Sequence, residues 1–184
     1  MRLFIALELP AEIKNYLEQI ISDLKKSDAG VKWVKPEQIH LTVKFLGETD
    51  SNKVSEIINS LNTVSAKHKK MHVSLSKLGV FPNLVRPKVI WVGLEGEIGN
   101  LAIFAEEIEN DLEKIGSKRE NRKFKAHLTL GRVKSERGIF ELSDLISSYT
   151  LKKMQFDFEK LLLFKSVLTP EGPIYSVISQ VKLN

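Results

Sequence analysis

Two stretches of the chain place an imidazole two residues before a hydroxyl and flank the pair with aliphatic side chains: His40-Leu41-Thr42-Val43 and His127-Leu128-Thr129-Leu130. Residues two apart on a strand share a face. Each stretch is therefore expected to be a strand that turns histidine and threonine one way and buries its aliphatic residues the other. Imidazole titrates near neutrality, so one ring can be neutral and take a proton while a second is charged and gives one. The hydroxyls, at ring height, can donate to oxygens on which negative charge develops. Displacement at phosphorus is in line, with the attacking and leaving oxygens on opposite sides. A cleft with one histidine in each wall would suit it, and no metal is required.

Plainer readings compete. One His-x-Thr on a strand is ordinarily a hydrogen-bonded sheet residue. The chain holds only four histidines, however, and packing alone gives no cause to repeat the polar pair with matched flanks. His68 and His72, four apart, could suggest zinc, but lysines separate them and no metalloprotease-type helix motif or carboxylate cluster accompanies them. They are expected at the surface. With no cysteine there is neither a disulfide nor a thiolate metal site. No cofactor is indicated, and no glycine-rich loop of the nucleoside-triphosphate-binding kind is present.

The elements that must position the two pairs follow from periodicity. Residues 2–9 alternate as a strand, and Pro10 opens a helix with Ile13, Leu17, Ile20, Ile21 and Leu24 inward. Residues 31–34 lead through Pro36 into the strand 39–47. Ser51 is expected to cap a second helix, and a strand follows at 71–80. A proline-rich loop at 82–87 precedes a buried strand over 88–96, and a third helix runs over 98–115. The basic loop 117–125 leads into the strand 126–133. A short helix or turn near 141–148 precedes two long strands, 151–168 and 173–183. Short connections between many of the strands predict an α+β fold with largely antiparallel sheets. Residues 1–184 are expected as a single domain of two lobes, with 42% apolar residues to fill a core. No apolar run approaches a membrane span and the N-terminus reads as a strand and not a leader, so a cytoplasmic location is the default. Nothing argues for an oligomer or an obligate protein partner, and a monomer is assumed.

The formal charge of +5 suits a polyanionic partner. Arg132 falls on the Leu128 face by strict alternation, yet Gly131 permits a bulge that would aim it at a phosphate; a rim salt bridge is the alternative. Lys44 falls on the His40 face, either reaching a phosphate or standing exposed at the strand end. Lys118, Arg119, Arg122, Lys123 and Lys125 form a loop that could draw in RNA or be merely solvated. Trp33, Phe45, Phe81 and Phe124 are candidates to stack a terminal base, against core packing for each.

The segments His-Leu-Thr-Val-Lys-Phe-Leu-Gly at 40–47 and Lys-Ala-His-Leu-Thr-Leu-Gly-Arg at 125–132 resemble the two-histidine phosphoesterase superfamily, and within it the RNA 2′,3′-cyclic phosphodiesterases, also called 2′-5′ RNA ligases. RLFIAL at the start, VKWVKPEQ before the first motif, FPN and RPKVIWVGL in mid-chain and SVLTPEGPIY near the end extend the likeness over essentially the whole chain. The resemblance implies a bilobal, pseudo-symmetric fold with both H-x-T-x motifs in a central cleft. It implies metal-independent hydrolysis of RNA ending in a 2′,3′-cyclic phosphate to a 2′-phosphomonoester, with His40 as proton donor, His127 as proton acceptor, and Thr42 and Thr129 on the phosphate. Arg132, Lys44, Phe45 and Lys125 are the candidate substrate contacts. The resemblance also implies joining and cleavage of 2′-5′ linkages in vitro, the two directions of one displacement at phosphorus. A cyclic phosphodiesterase of ADP-ribose cyclic phosphate or a 2′-5′ oligonucleotide, and a non-catalytic RNA-end-binding module, are the competing expectations.

Overall fold

The computed structural model describes all 184 residues. The first half contributes strand β1 (Arg2–Leu7), helix α1 (Ala11–Leu24), β2 (Val31–Trp33), β3 (Leu41–Glu48), α2 (Val54–Ser65) and β4 (Met71–Phe81). The second contributes β5 (Val89–Gly96), α3 (Ile98–Lys114), β6 (His127–Val133), α4 (Ile139–Ser148), β7 (Gln155–Phe158), β8 (Lys160–Thr169) and β9 (Gly172–Lys182). Two sheets result, ordered β3-β1-β8-β9 and β2-β6-β5-β4-β7, and every pairing in them is antiparallel. The α+β class is the one expected.

One pattern repeats. In β1-α1-β3 a strand is followed by an amphipathic helix and then by a motif strand that pairs back on the first; β5-α3-β6 does the same. Each helix buries the stripe its spacing announced: Ile13, Leu17, Ile20 and Leu24 on α1, Leu101, Phe104, Ile108 and Leu112 on α3. The halves also exchange strands. β4 leaves the first half to pair with β5, and β8 leaves the second to pair with β1. One continuous hydrophobic cluster draws on both.

Three local expectations are corrected. Ser51 begins a single 3-10 turn rather than capping α2, and the carboxylate of Asp50 accepts from Asn52 N at 3.3 Å. Residues 31–33 form a strand of their own, paired with β6 in the other sheet; three residues are too few to show a period. The long strand expected over 151–168 is β7 and β8, divided at Glu159, because the chain there passes from one sheet to the other.

Candidate active site

Both motif histidines are held in the same way. His40, just before β3, donates from Nδ1 to the carbonyl of Gln38 at 2.6 Å, and His127, opening β6, donates from Nδ1 to the carbonyl of Lys125 at 2.7 Å. A carbonyl only accepts, so Nδ1 keeps its hydrogen in each ring and Nε2 is left as the exchangeable site. Gln38 is itself fixed, because its side-chain amide donates to the Pro173 carbonyl on β9 at 2.8 Å. Although β3 and β6 belong to different sheets, they approach within 8 Å between Cα atoms.

The register beyond each threonine carries a matched irregularity. In β1–β3, Ala6 faces Thr42 and Ile5 faces Lys44, so Val43 is an extra residue. In β5–β6, Trp91 faces Thr129 and Ile90 faces Gly131, so Leu130 is extra. An inserted residue inverts the alternation after it. The third residue past each threonine therefore rejoins the threonine's face: Phe45 in one half and Arg132 in the other. Phe45 is 62% exposed, and its ring lies 6.0 Å from Phe4, which stacks on His40 at 4.9 Å. Arg132 makes no salt bridge and lines the cleft beside His40, so the rim ion pair considered from sequence is absent.

The same inversion overturns the expectation for Lys44. Only 4% exposed, it points away from His40, pairs with the Glu109 carboxylate of α3, and donates to the Lys118 carbonyl at 2.8 Å. Glu109 also accepts from the Glu120 amide at 2.9 Å, which pins the start of the basic loop against α3. Arg119 is likewise taken up by α3, through Glu106, Asn110 and Glu113. Lys125 stays at the site: its Nζ lies 5.5 Å from the centroid of Phe81, whose ring stands edge-on to His127 at 5.3 Å. Phe124 packs against the core, as Trp33 does from the cleft wall. His68 is not simply a surface residue, since it is bonded to Glu107 and set edge-on to Phe104, whereas His72 is exposed and bonded to Asp157.

Around His40 the structure adds residues that sequence reasoning missed. Phe4 stacks on His40 and on Phe164, and Tyr175 stands edge-on to His40 at 5.7 Å. No local signal marks them, because they reach the ring from β1, β8 and β9. Burial pushes the Tyr175 phenol up, with Arg132 and Arg2 pulling the other way. A cleft of about 930 Å³ opens here, lined by His40, Arg132, Phe164 and Tyr175 among others; His127 lies outside its lining.

Burial lowers the His40 pKa from 6.5 to about 4, the Gln38 carbonyl opposing and the Lys14 ammonium adding to the shift. The free protein therefore carries this ring neutral at pH 7. A group that binds its proton less well folded than unfolded costs stability as the pH falls from the unfolded value towards the folded one. Between pH 6.5 and 4 this ring should cost up to about 3 kcal/mol. Urea midpoints measured across that window should fall with pH for the wild type and more shallowly for His40→Gln. Parallel curves would count against the buried neutral ring.

Comparison with known proteins gives a consistent picture. The family described as LigT like Phosphoesterase matches twice, over residues 7–91 and again over 92–175, with one motif in each match. The RNA 2′,3′-cyclic phosphodiesterase of Methanocaldococcus jannaschii is 38% identical over 98% of this chain and 99% of its own length. That of Archaeoglobus fulgidus is 36% identical over 95% and 96%. Among solved structures, a Thermus thermophilus protein superposes with a TM-score of 0.83 at 27% identity, covering 100% of this chain and 98% of its own. E. coli LigT complexed with NADP+ shares the fold, with a TM-score of 0.76 at 22% identity over 99% and 96%.

Proposed function

The chain belongs to the LigT-like phosphoesterase family, and we propose that it opens the 2′,3′-cyclic phosphate at the end of an RNA to leave a 2′-phosphomonoester. The observation that carries this reading is the paired tethering of His40 and His127. Each ring gives Nδ1 to a backbone carbonyl, presents Nε2 unbonded, and is followed two residues on by a threonine. The names of the relatives supply the substrate class.

In this mechanism His127 Nε2 takes a proton from water as its oxygen attacks phosphorus. His40 Nε2 gives a proton to the departing 3′ oxygen on the opposite side. Thr42 and Thr129 donate to the non-bridging oxygens, and Arg132 offers its fork of N–H groups to the same charge. The roles of the two rings rest on the family resemblance. Burial favours a neutral His40 in the free protein, so its proton must arrive with the anionic phosphodiester, whose charge beside Nε2 favours the imidazolium. The converse assignment, with His40 as base, is the second reading that this burial supports. Ligation to a 2′-5′ linkage is the same displacement with the 5′-hydroxyl of a second RNA in place of water.

The test is a short RNA ending in a 2′,3′-cyclic phosphate, incubated in excess EDTA with 2′- and 3′-phosphate products resolved. The expected result is metal-independent 2′-phosphate. Tight binding with no turnover would replace the enzyme by an RNA-end-binding module. Turnover of ADP-ribose cyclic phosphate or 2′-5′ oligonucleotides in preference to the RNA would move the activity to a small nucleotide.

A further inference from the structure

The residue two before each motif histidine does two things at once. Gln38 gives its carbonyl to His40 Nδ1, and its side-chain amide donates at 2.8 Å to the carbonyl of Pro173, near the start of β9. Two residues along β9 from that anchor is Tyr175, whose ring stands edge-on to His40 at 5.7 Å and 71°. In the other half, Lys125 gives its carbonyl to His127 Nδ1 and lays its ammonium over Phe81, whose ring stands edge-on to His127 at 5.3 Å and 80°. Each of these residues thus holds an imidazole by its main chain and reaches by its side chain to the element that supplies the imidazole's edge-on aromatic ring. The two anchors differ in kind. That of Gln38 is a directional, half-buried hydrogen bond, whereas that of Lys125 is an exposed cation over a ring.

Little else holds the backbone at Gln38. Residues Pro36–Gln38 form a single 3-10 turn, in which Gln38 N donates to the Lys35 carbonyl at 2.8 Å and Ile39 N to the Pro36 carbonyl at 3.1 Å. Such short turns have poorer hydrogen-bond geometry than a helix, and this one belongs to neither sheet. Ile39 is buried and fixes the following residue, which still leaves the peptide that His40 uses free to tilt. The bond to Pro173 supplies the missing constraint from 135 residues away in the chain. β9 is the outermost strand of its sheet, where a proline gives up no ladder donor. Its hairpin with β8 is braced by the Thr169 hydroxyl, which donates to the Gly172 carbonyl at 2.7 Å.

Resting on the catalytic part proposed above for His40, we infer that Gln38 is a positioning residue for that ring: its side-chain bond to Pro173 keeps the Gln38 carbonyl on Nδ1 and so leaves Nε2 free for the proton transfer. The tether serves the ring as acid or as base, since in either role Nδ1–H stays on the carbonyl. The β8–β9 hairpin, the 36–38 turn and the His40 ring then behave as one unit.

The experiment compares wild type with Gln38→Ala and with Gln38→Met, which is close to glutamine in length and lacks its donor. On RNA ending in a 2′,3′-cyclic phosphate, both variants should lose about tenfold in kcat with KM little changed. The same Gln38→Ala change made in His40→Ala should cost nothing further, because a residue acting only through a ring has no effect once the ring is gone. Two-bond nitrogen–hydrogen NMR correlations at pH 7, where the ring is neutral, supply a readout that needs no turnover. His40 should be the Nδ1-protonated tautomer in wild type and a mixture of the two tautomers in Gln38→Ala. Wild-type kcat in both Gln38 variants, or an unchanged tautomer in Gln38→Ala, would overturn the inference. So would a tenfold loss repeated in the His40→Ala background, the mark of a general loosening, or wild-type kcat in Gln38→Met alone, the mark of packing. No ring opening by wild type would instead remove the function on which the inference rests, with the tautomer comparison still deciding whether the tether orients the ring.

Discussion

Alanine at His40 or at His127 should lower kcat on cyclic-phosphate-ended RNA by about 10²–10⁴ each, the range for loss of a positioned general acid or base. The effect is large because each ring is pre-set, with Nδ1 already committed to a carbonyl two residues earlier and Nε2 left unbonded. A freely rotating imidazole would have to find that orientation at every turnover. The double variant should lose far less than the product of the two, because acid and base act in one displacement. A diester whose leaving group departs without a proton separates the two roles. It should restore much of the rate to the variant lacking the acid and little to the one lacking the base. Recovery confined to His40→Ala supports the donor role proposed for it, and recovery confined to His127→Ala reverses the assignment. Retention of kcat within about tenfold of wild type in either single variant would take that ring out of the chemistry.

Lys44→Ala should be among the most destabilising single changes at a charged residue in this chain. Lys44 and Glu109 side chains are 2% and 11% exposed, and removal of the lysine leaves a carboxylate in the interior held only by the Glu120 amide. Breaking one side of a buried pair costs about 3–5 kcal/mol, which in a chain of this size is a drop of about 10 °C in Tm. Removing both charges in Lys44→Met/Glu109→Leu avoids the stranded carboxylate and should recover most of that loss. An exposed strand-end lysine, as the sequence suggested, would change stability by no more than about 0.5 kcal/mol. Urea unfolding of the three proteins decides between these pictures, and equal losses in the single and double variants would count against a stranded charge.

Lys44 also shows where the sequence stops being legible. The period-2 rule applies from His127 to Thr129, where the register with β5 is uninterrupted, and up to Thr42 in β3. It fails one step later, for a non-local reason. A bulge is defined by the partner strand, and neither Ile5 opposite Lys44 nor Ala6 opposite Thr42 can be deduced from residues 40–47. Lys44 and Phe45 therefore exchange faces relative to the reading from sequence. In β6 the glycine provided a local hint, and a bulge does stand there, returning Arg132 to the Thr129 face. Helices α1 and α3 were readable because their apolar stripes run four turns or so, long enough for a period to be distinct. Strand β2 was not, at three residues. The aromatic surround of His40 is assembled from β1 and the β8–β9 hairpin, both far from residue 40 in the chain, and no window around the motif contains it.

The exchange of β4 and β8 between the sheets bears on how such a chain could have arisen. A single repeat, alone, would hold a motif strand and its helix but lack the strand that its first strand pairs with on the other edge. It could close its sheets only with a second copy, each lending the other a strand, in a two-fold dimer with identical residues on both sides of the cleft. Fusion of the two copies would release them from that symmetry. The position after the bulge is Lys44 in one half and Gly131 in the other, and the next is Phe45 in one and Arg132 in the other. At matching positions past the bulge, one half now offers an exposed aromatic ring and the other a guanidinium that lines the cleft beside His40.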